Sequence, residues 1–492
     1  MGCQTNELHF VLFPLMAQGH IIPMIDIAKM LAQRGVVITI VTTPHNASRF
    51  EGILTRAVSS GLQIRIHLVQ FPYEQAGVPQ GCENVDMIPS GDMVISFFDA
   101  LSLLQQPAEE LFACLKPKPS CIISDMCFPW TVKLAEKHNI PRIVFHGFSC
   151  FCLLCSYNIH VTKVQETITS DSEYFAIPDI PDHIEVTKAQ LPNSVDDDKL
   201  REFREQIADA EMKSFGAIIN TFEELEEAYV KAYKKARNLK VWCLGPVSLC
   251  NKDELDKAQR GNKAAIDEHQ CLKWLDMQKP NSVIYVCFGS ICNLLPLQLI
   301  ELALGLEASN RPFIWAIRGW SKTPELDKWI KESGFAERTK ERGLVIQGWA
   351  PQVLILSHLS IGGFITHCGW NSTLEAITCG VPMITWPLFA DQFLNEKLVV
   401  RVLDIAVSLG VEKPMKWGEE EKIGILVNRE DVRKAIQKLM GEEEENPRRK
   451  KAREFGEKAR RAVEEGGSSH LNLTLLIQDI MQQTNRVSEL EI

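Results

Sequence analysis

From Ile361 to Cys379 the chain reads as an apolar strand (Ile361 to Ile365), a polar glycine-containing turn (Thr366 to Asn371) and a helix (Ser372 to Cys379). Strand, tight loop and helix start are how α/β proteins hold phosphate. Unpaired backbone N–H groups at the first helical turn and the positive end of the helix dipole favour an anion there. Asn371, Ser372 and Thr373 would supply that turn. Folding alone accounts for some of this stretch: Ser372 with Glu375 is a capping box, and Gly380 with Pro382 is a helix stop. It does not account for the density of hydrogen-bonding and aromatic groups around one helix start: Trp349, Gln352, His367, Trp370, Asn371, Asp391 and Gln392.

From its opening WAPQ through HCGWNS to its closing DQ, the 44-residue stretch Trp349 to Gln392 resembles the donor signature of the plant secondary-product UDP-glycosyltransferases. The resemblance implies roles by position. Trp349 stacks on uracil, Ala350 bonds the uracil through its backbone, and Gln352 and Glu375 hold the ribose hydroxyls. His367, Asn371 and Ser372 bind the diphosphate, and Trp370, Asp391 and Gln392 hold the sugar hydroxyls. In this family a Gln at the last position goes with UDP-glucose, so glucose is the expected sugar.

At 492 residues the chain exceeds the size at which one core stops growing, so two domains are expected. Hydrophobic residues make up 45% and charged ones 24%, the balance of a globular protein in water. The net charge of −10 argues against a nucleic-acid partner, which needs a basic surface. Fifteen cysteines, an odd number scattered through apolar segments, read as free thiols in a reducing compartment. Cys150, Cys152 and Cys155, near His146 and His160, have no second CxxC at finger spacing and read as core. The N-terminus lacks a secretory pattern, and no apolar stretch approaches the roughly 20 residues of a membrane span. A cytoplasmic monomer without a membrane span is expected.

Near the N-terminus, His9 to Pro14 reads as a strand, Leu15 to Gly19 as a loop and His20 to Gln33 as a helix, with Val36 to Val41 as the next strand. Short apolar strands alternating with helices imply a parallel sheet covered on both faces, with ligands beyond the carboxyl ends of its strands. A lone His at a helix start is usually a polar cap. The segment PLMAQGHIIPM, however, resembles the one in which the same family carries its general base, which makes His20 that base; an imidazole suits the task because it titrates near neutrality. Gly19 is the loop's one glycine, so the GxGxxG of a nicotinamide enzyme is missing. Asp125, just past the strand Cys121 to Ser124, would ordinarily cap the next helix. Its similarity to the family's SD segment makes it the partner of His20 instead.

By the same resemblance, Arg142 to Cys155 and Asp182 to Pro192 border the acceptor pocket, with Phe128, Phe148, Phe151 and Leu191 as its apolar wall; each of these is as readily a core residue. Ala217 to Asn220 reads as a strand, Thr221 to Tyr229 as a helix, and Val241 to Val247 closes this half. Leu249 to Gln270 is polar and lacks core periodicity, so it reads as a linker. Beyond it, Ser282 to Phe288 reads as a strand, and Ser290 in the following FGS is assigned to the diphosphate by resemblance. Phe313 to Arg318 and Gly343 to Gln347 read as strands, Glu430 to Met440 as a helix, and Glu442 to Glu445 with Arg448 to Arg453 as a solvated charge run.

The expectation is an α/β protein of GT-B type: an acceptor domain over residues 1–248, a linker over 249–270, a UDP-sugar domain over 271–465, and a C-terminal helix and tail over 466–492 that return to the first domain. The implied activity is inverting O-glucosyl transfer from UDP-glucose to a hydroxyl or carboxyl of a small hydrophobic metabolite. No DxD pair is placed for a divalent ion, so neither a metal nor another cofactor is expected. A non-catalytic sugar-nucleotide-binding protein and a nicotinamide oxidoreductase on a similar sheet are the alternatives.

Overall fold

The computed structural model describes residues 7–192, 198–291, 294–320, 323–415, 420–441 and 446–490. The first six residues and the acidic Glu442 to Glu445 lie outside them. In the N-terminal half the strands are β1 (His9–Phe13), β2 (Val37–Thr42), β3 (Ile64–Leu68), β4 (Cys121–Asp125), β5 (Arg142–His146), a small antiparallel pair β6 (Tyr174–Ala176) and β7 (Glu185–Thr187), then β8 (Gly216–Ile219) and β9 (Lys240–Cys243). Seven of them form one parallel sheet in the order β3-β2-β1-β4-β5-β8-β9. The C-terminal half adds β10 (Val283–Cys287), β11 (Phe313–Ile317), β12 (Gly343–Gln347), β13 (Ile361–Thr366), β14 (Met383–Thr385) and β15 (Ala406–Ser408). These make a second parallel sheet in the order β12-β11-β10-β13-β14-β15.

Central strands such as β1 and β13 are buried along their whole length, which is why they read as unbroken apolar runs rather than alternating ones. In each sheet the strand order reverses once, between β1 and β4 and between β10 and β13. At such a switch point the following connections leave to opposite faces and open a crevice at the carboxyl ends. Helix Gln18–Ala32 follows β1, and helix Trp370–Thr378 follows β13.

Both helices begin two residues earlier than the sequence implied, and the difference corrects a detail. Gly369 is the N-cap of the second helix, and Thr373 N–H closes the first helical bond on Gly369 O at 3.0 Å. The N–H groups ahead of that bond belong to Trp370, Asn371 and Ser372, with Thr373 already committed. Ser372 is therefore inside the helix, and no Ser372–Glu375 capping box forms. Its hydroxyl accepts from Gln352 Nε2 at 3.0 Å instead.

The C-terminal helix Ser468–Leu490 returns to the N-terminal half. Leu473, Leu476 and Ile480 share a core with Trp242 and Leu244, and Lys240 Nζ meets Asp479 Oδ1 at 2.5 Å. Cys150, Cys152 and Cys155 are packed in the core beside Phe151. Among the described residues, no helix is long and apolar enough to cross a membrane. The polar segment expected as a linker is folded against the first helix. It contains a helical turn, Glu254–Ala258, and a buried side chain, Arg260.

Candidate active site

The two switch points face each other across a cleft of about 380 Å³. Two helix starts meet there: Asn371 Nδ2 donates to Gly19 O at 2.6 Å. The residue before His20 thus touches the first turn of the helix after β13. Trp370 Nε1 donates to Asn220 O at 2.8 Å, and Asn220 Nδ2 reaches Asn371 Oδ1 at 3.4 Å, closing the two halves on one another beside the cleft.

His20 rises from the first turn of its helix, and Asp125 ends the neighbouring strand β4. Pairing of β1 with β4 brings together residues 105 apart in sequence: His20 Nδ1 lies 2.7 Å from Asp125 Oδ2. Asp125 is wholly buried, and its Oδ1 accepts from Cys127 N–H at 3.1 Å, so the carboxylate cannot swing away. Burial pulls the His20 pKa down, but the charge and hydrogen bond of Asp125, with Asp391 across the cleft, outweigh it and hold His20 above its ordinary 6.5. With Nδ1 bound to the carboxylate, Nε2 is left as the ring's working nitrogen, as in other His and Asp pairs.

On the opposite wall stand Ser290, Trp349, Ala350, Gln352, His367 and Trp370. Asn371, Ser372, Glu375, Asp391 and Gln392 complete it, so every expected donor-side residue borders this one cleft. His367, at the end of β13, is pushed down to about 4 by burial and is neutral at pH 7; its Nδ1 is buried without a hydrogen-bond partner. Gly289, with φ +75°, lets the backbone after β10 pass His367: a Cβ there would lie 2.5 Å from Nε2.

Glu375 Oε2 accepts from Gln352 Nε2 at 2.8 Å, and Oε1 meets Arg260 Nη1 at 2.5 Å. The carbonyl oxygen of Gln392 accepts from Leu388 and Phe389 N–H, which leaves its amide NH₂ to serve a ligand. Asp391 is held by Asn395 Nδ2 at 2.6 Å, and burial pushes its carboxyl up to about 6. The Trp370 indole N–H is already donated to Asn220 O, which leaves the backbone N–H as that residue's donor toward a ligand.

The acceptor side differs most from the sequence reading. Phe148 lines the cleft, edge-on to His20 with ring centres 6.2 Å apart. Phe128 packs with Phe13 and Trp130 in one core, Phe151 with Tyr229 in another, and Leu191 against that second core. None of these three borders the cleft. Their places are taken by Leu15, Val85, Phe98, Met126, Ile291 and Phe389. An apolar residue just after a strand carries no mark of which face it takes. Arg260 and Arg318, also at the cleft, were missed: Arg260 lies in a polar segment whose local pattern shows only charge, and Arg318 follows an apolar strand as a single charge with no motif around it.

Two facing Rossmann-like domains with opposed switch points define the class: this is a GT-B fold. Residues 6–249 match the family model described as glycosyltransferase, N-terminal domain, and residues 257–443 the one described as UDP-glucoronosyl and UDP-glucosyl transferase. UDP-glycosyltransferase 73C25 of Barbarea vulgaris is 58% identical over 97% of each chain, and UDP-glycosyltransferase 73C2 of Arabidopsis thaliana 59% over 98% of each. Among solved structures, UGT73P12 of Glycyrrhiza uralensis complexed with glycyrrhetinic acid 3-O-monoglucuronide superposes with a TM-score of 0.88 at 37% identity, covering 99% of this chain and 98% of that one. UGT71G1 of Medicago truncatula complexed with UDP-glucose gives 0.79 at 25% identity, covering 98% and 100%. The chain belongs to the plant UDP-glycosyltransferase family and is a glycosyltransferase.

Proposed function

We propose that the chain transfers glucose from UDP-glucose, with inversion, to a hydroxyl or carboxyl of a small hydrophobic plant metabolite such as a triterpenoid, flavonoid, steroid or cytokinin. The observation that carries this reading is the meeting of His20, held by Asp125, with the helix start at Trp370 to Ser372 across one cleft. His20 Nε2 takes the proton of the acceptor hydroxyl as its oxygen attacks the anomeric carbon from the face opposite UDP. The bond from that carbon to the phosphate oxygen breaks, and its electron pair leaves on the diphosphate. The N–H groups of Trp370, Asn371 and Ser372, with His367 and Ser290, face the departing charge as preorganised donors.

In this reading Trp349 and Ala350 hold the uracil, Gln352 and Glu375 the ribose, and Asp391 and Gln392 the sugar, for which the Gln392 amide favours glucose. Phe148 and the apolar residues beside it receive the body of the acceptor.

Incubation with UDP-glucose and a panel of flavonoid, triterpenoid, steroid and cytokinin acceptors tests the proposal. The expected product is a β-glucoside, read from its anomeric coupling. His20→Ala is expected to lower transfer by at least about 10³-fold while leaving UDP affinity nearly intact. UDP release with no glycoside, or a variant that keeps its rate, refutes it.

A further inference from the structure

Residues 251–262 join the two halves, and they are fastened chiefly to the first helix. Lys29 Nζ donates to Asn251 Oδ1 at 2.8 Å and to Asp256 Oδ2 at 2.6 Å. Asn251 Nδ2 donates to Asp26 Oδ1 at 2.8 Å, Gln18 Nε2 to Asn262 Oδ1 at 2.9 Å, and Arg56 Nε to Asp256 Oδ1 at 2.9 Å. Side chains thus tie the segment to the N-terminal domain, while its helical turn Glu254–Ala258 packs against helix Gln352–Leu356 of the C-terminal domain. Its next residues lie against the opposite wall. Gly261, at φ +89°, sits so close that a Cβ would be 2.8 Å from Trp349 Cζ2 and 3.0 Å from Ile22 Cδ1, and Ala265 N–H donates to Trp349 O at 2.8 Å.

Arg260 is the side chain that carries this strap across. Its guanidinium is 8% exposed, with Nη2 on Asp26 Oδ2 and Nη1 on Glu375 Oε1, both at 2.5 Å. One planar fork thus ties a carboxylate of the N-terminal domain to a carboxylate of the helix after β13, with no water between. Such a bridge fixes both the closure of the domains and the rotamer of Glu375, whose other oxygen accepts from Gln352. A carboxylate has about four lone-pair sites, so Glu375 so held still has acceptors for two hydroxyls.

We infer that Arg260 is a positioning residue for the nucleotide: it sets Glu375 to meet the ribose and closes the interdomain strap over Trp349. The inference rests on Glu375 being the ribose ligand of the proposed function. Without Arg260, Glu375 loses its cationic partner and its fixed orientation, and the strap loses its side-chain tie to the helix after β13. The deficit falls on nucleotide affinity, because neither Arg260 nor Glu375 touches His20 or the acceptor end of the cleft.

Calorimetric UDP binding and steady-state kinetics of UDP-glucose consumption, on the full chain, test this with Arg260→Met, Glu375→Gln and the double variant. The Kd of UDP and the KM of UDP-glucose are expected to rise about tenfold in each single variant, and by no more than that in the double, while kcat changes less than about twofold. A melting temperature that falls in Arg260→Met with unchanged UDP affinity overturns the inference, as do effects that simply add in the double variant. Unchanged affinity in Glu375→Gln removes the ribose assignment and the inference together, whereas unchanged affinity in Arg260→Met alone removes only the inference. Should Arg260→Met not fold, Arg260→Lys serves: a compact ammonium cannot span both carboxylates, so UDP binding weakens severalfold, and wild-type affinity overturns the claim.

Discussion

Asp125→Asn separates orientation of the base from its presence. In the wild type the carboxylate accepts on both oxygens, from Cys127 N–H at 3.1 Å and from His20 Nδ1 at 2.7 Å. An asparagine of the same shape keeps its one oxygen on Cys127 and turns an NH₂ toward the imidazole. The ring then either presents a lone pair at Nδ1, placing the proton on Nε2 where the base must act, or keeps its proton and sets two buried donors against each other. Each unsatisfied buried donor costs about 1–3 kcal/mol. The productive tautomer is therefore disfavoured by about 2–6 kcal/mol, or roughly 30-fold to 10⁴-fold in kcat.

A second signature follows from charge. His20 must be neutral to act, and its pKa is raised above 6.5, so the wild-type rate falls as pH drops through a value above 6.5. In the variant, burial, which lowers the pKa, is opposed only by Asp391, and the acid limb moves to lower pH. Initial rates of glucoside formation between pH 5 and 9, with UDP affinity as a control, read both effects. A loss in kcat under about threefold, or an acid limb that stays in place, refutes the pairing of His20 with Asp125.

Gly289→Ala forces a left-handed backbone on a residue with a Cβ and drives that carbon into His367, so UDP affinity should fall about tenfold or more by calorimetry. If Asp391 holds the sugar as proposed, Asp391→Asn should raise the KM of UDP-glucose about tenfold while leaving the Kd of UDP unchanged. Glu226, whose carboxylate receives the N–H groups of Cys150 and Phe151 at the start of helix Cys150–Thr162, is raised by burial to about 7. An acid raised in the folded state gives stability that is lost as pH climbs through that value. The melting temperature should therefore drop by about 3 °C more between pH 6 and 8.5 in the wild type than in Glu226→Gln.

Local chemistry made much of this protein readable. Runs such as Phe10 to Phe13 and Ile361 to Ile365 lack polar side chains because both faces of a central parallel strand are covered, and each is followed by helix-forming sequence. That pattern forces a doubly wound sheet whatever the neighbours are. The glycines, His and Asn between β13 and its helix betray a loop built to leave backbone donors open. Helix starts were misplaced by two residues because His20 and Ser372 carry polar signals stronger than the residues that begin the turns, Gln18 and Trp370.

What the sequence by itself determined, then, were its strands and helices, the loops that end in chemistry, and the family to which those loops belong. Tertiary structure alone decided which residues share a cleft. That Phe148 faces His20 while Phe128 and Phe151 turn into separate cores depends on which side of a strand each follows, and an apolar residue reads the same on either side. That Arg260 is buried between Asp26 and Glu375, 234 residues away in one direction and 115 in the other, depends on the closing of two domains. Short-range patterns record how a segment meets its own backbone; a charge that is neutralised from two distant elements leaves no trace in the residues beside it.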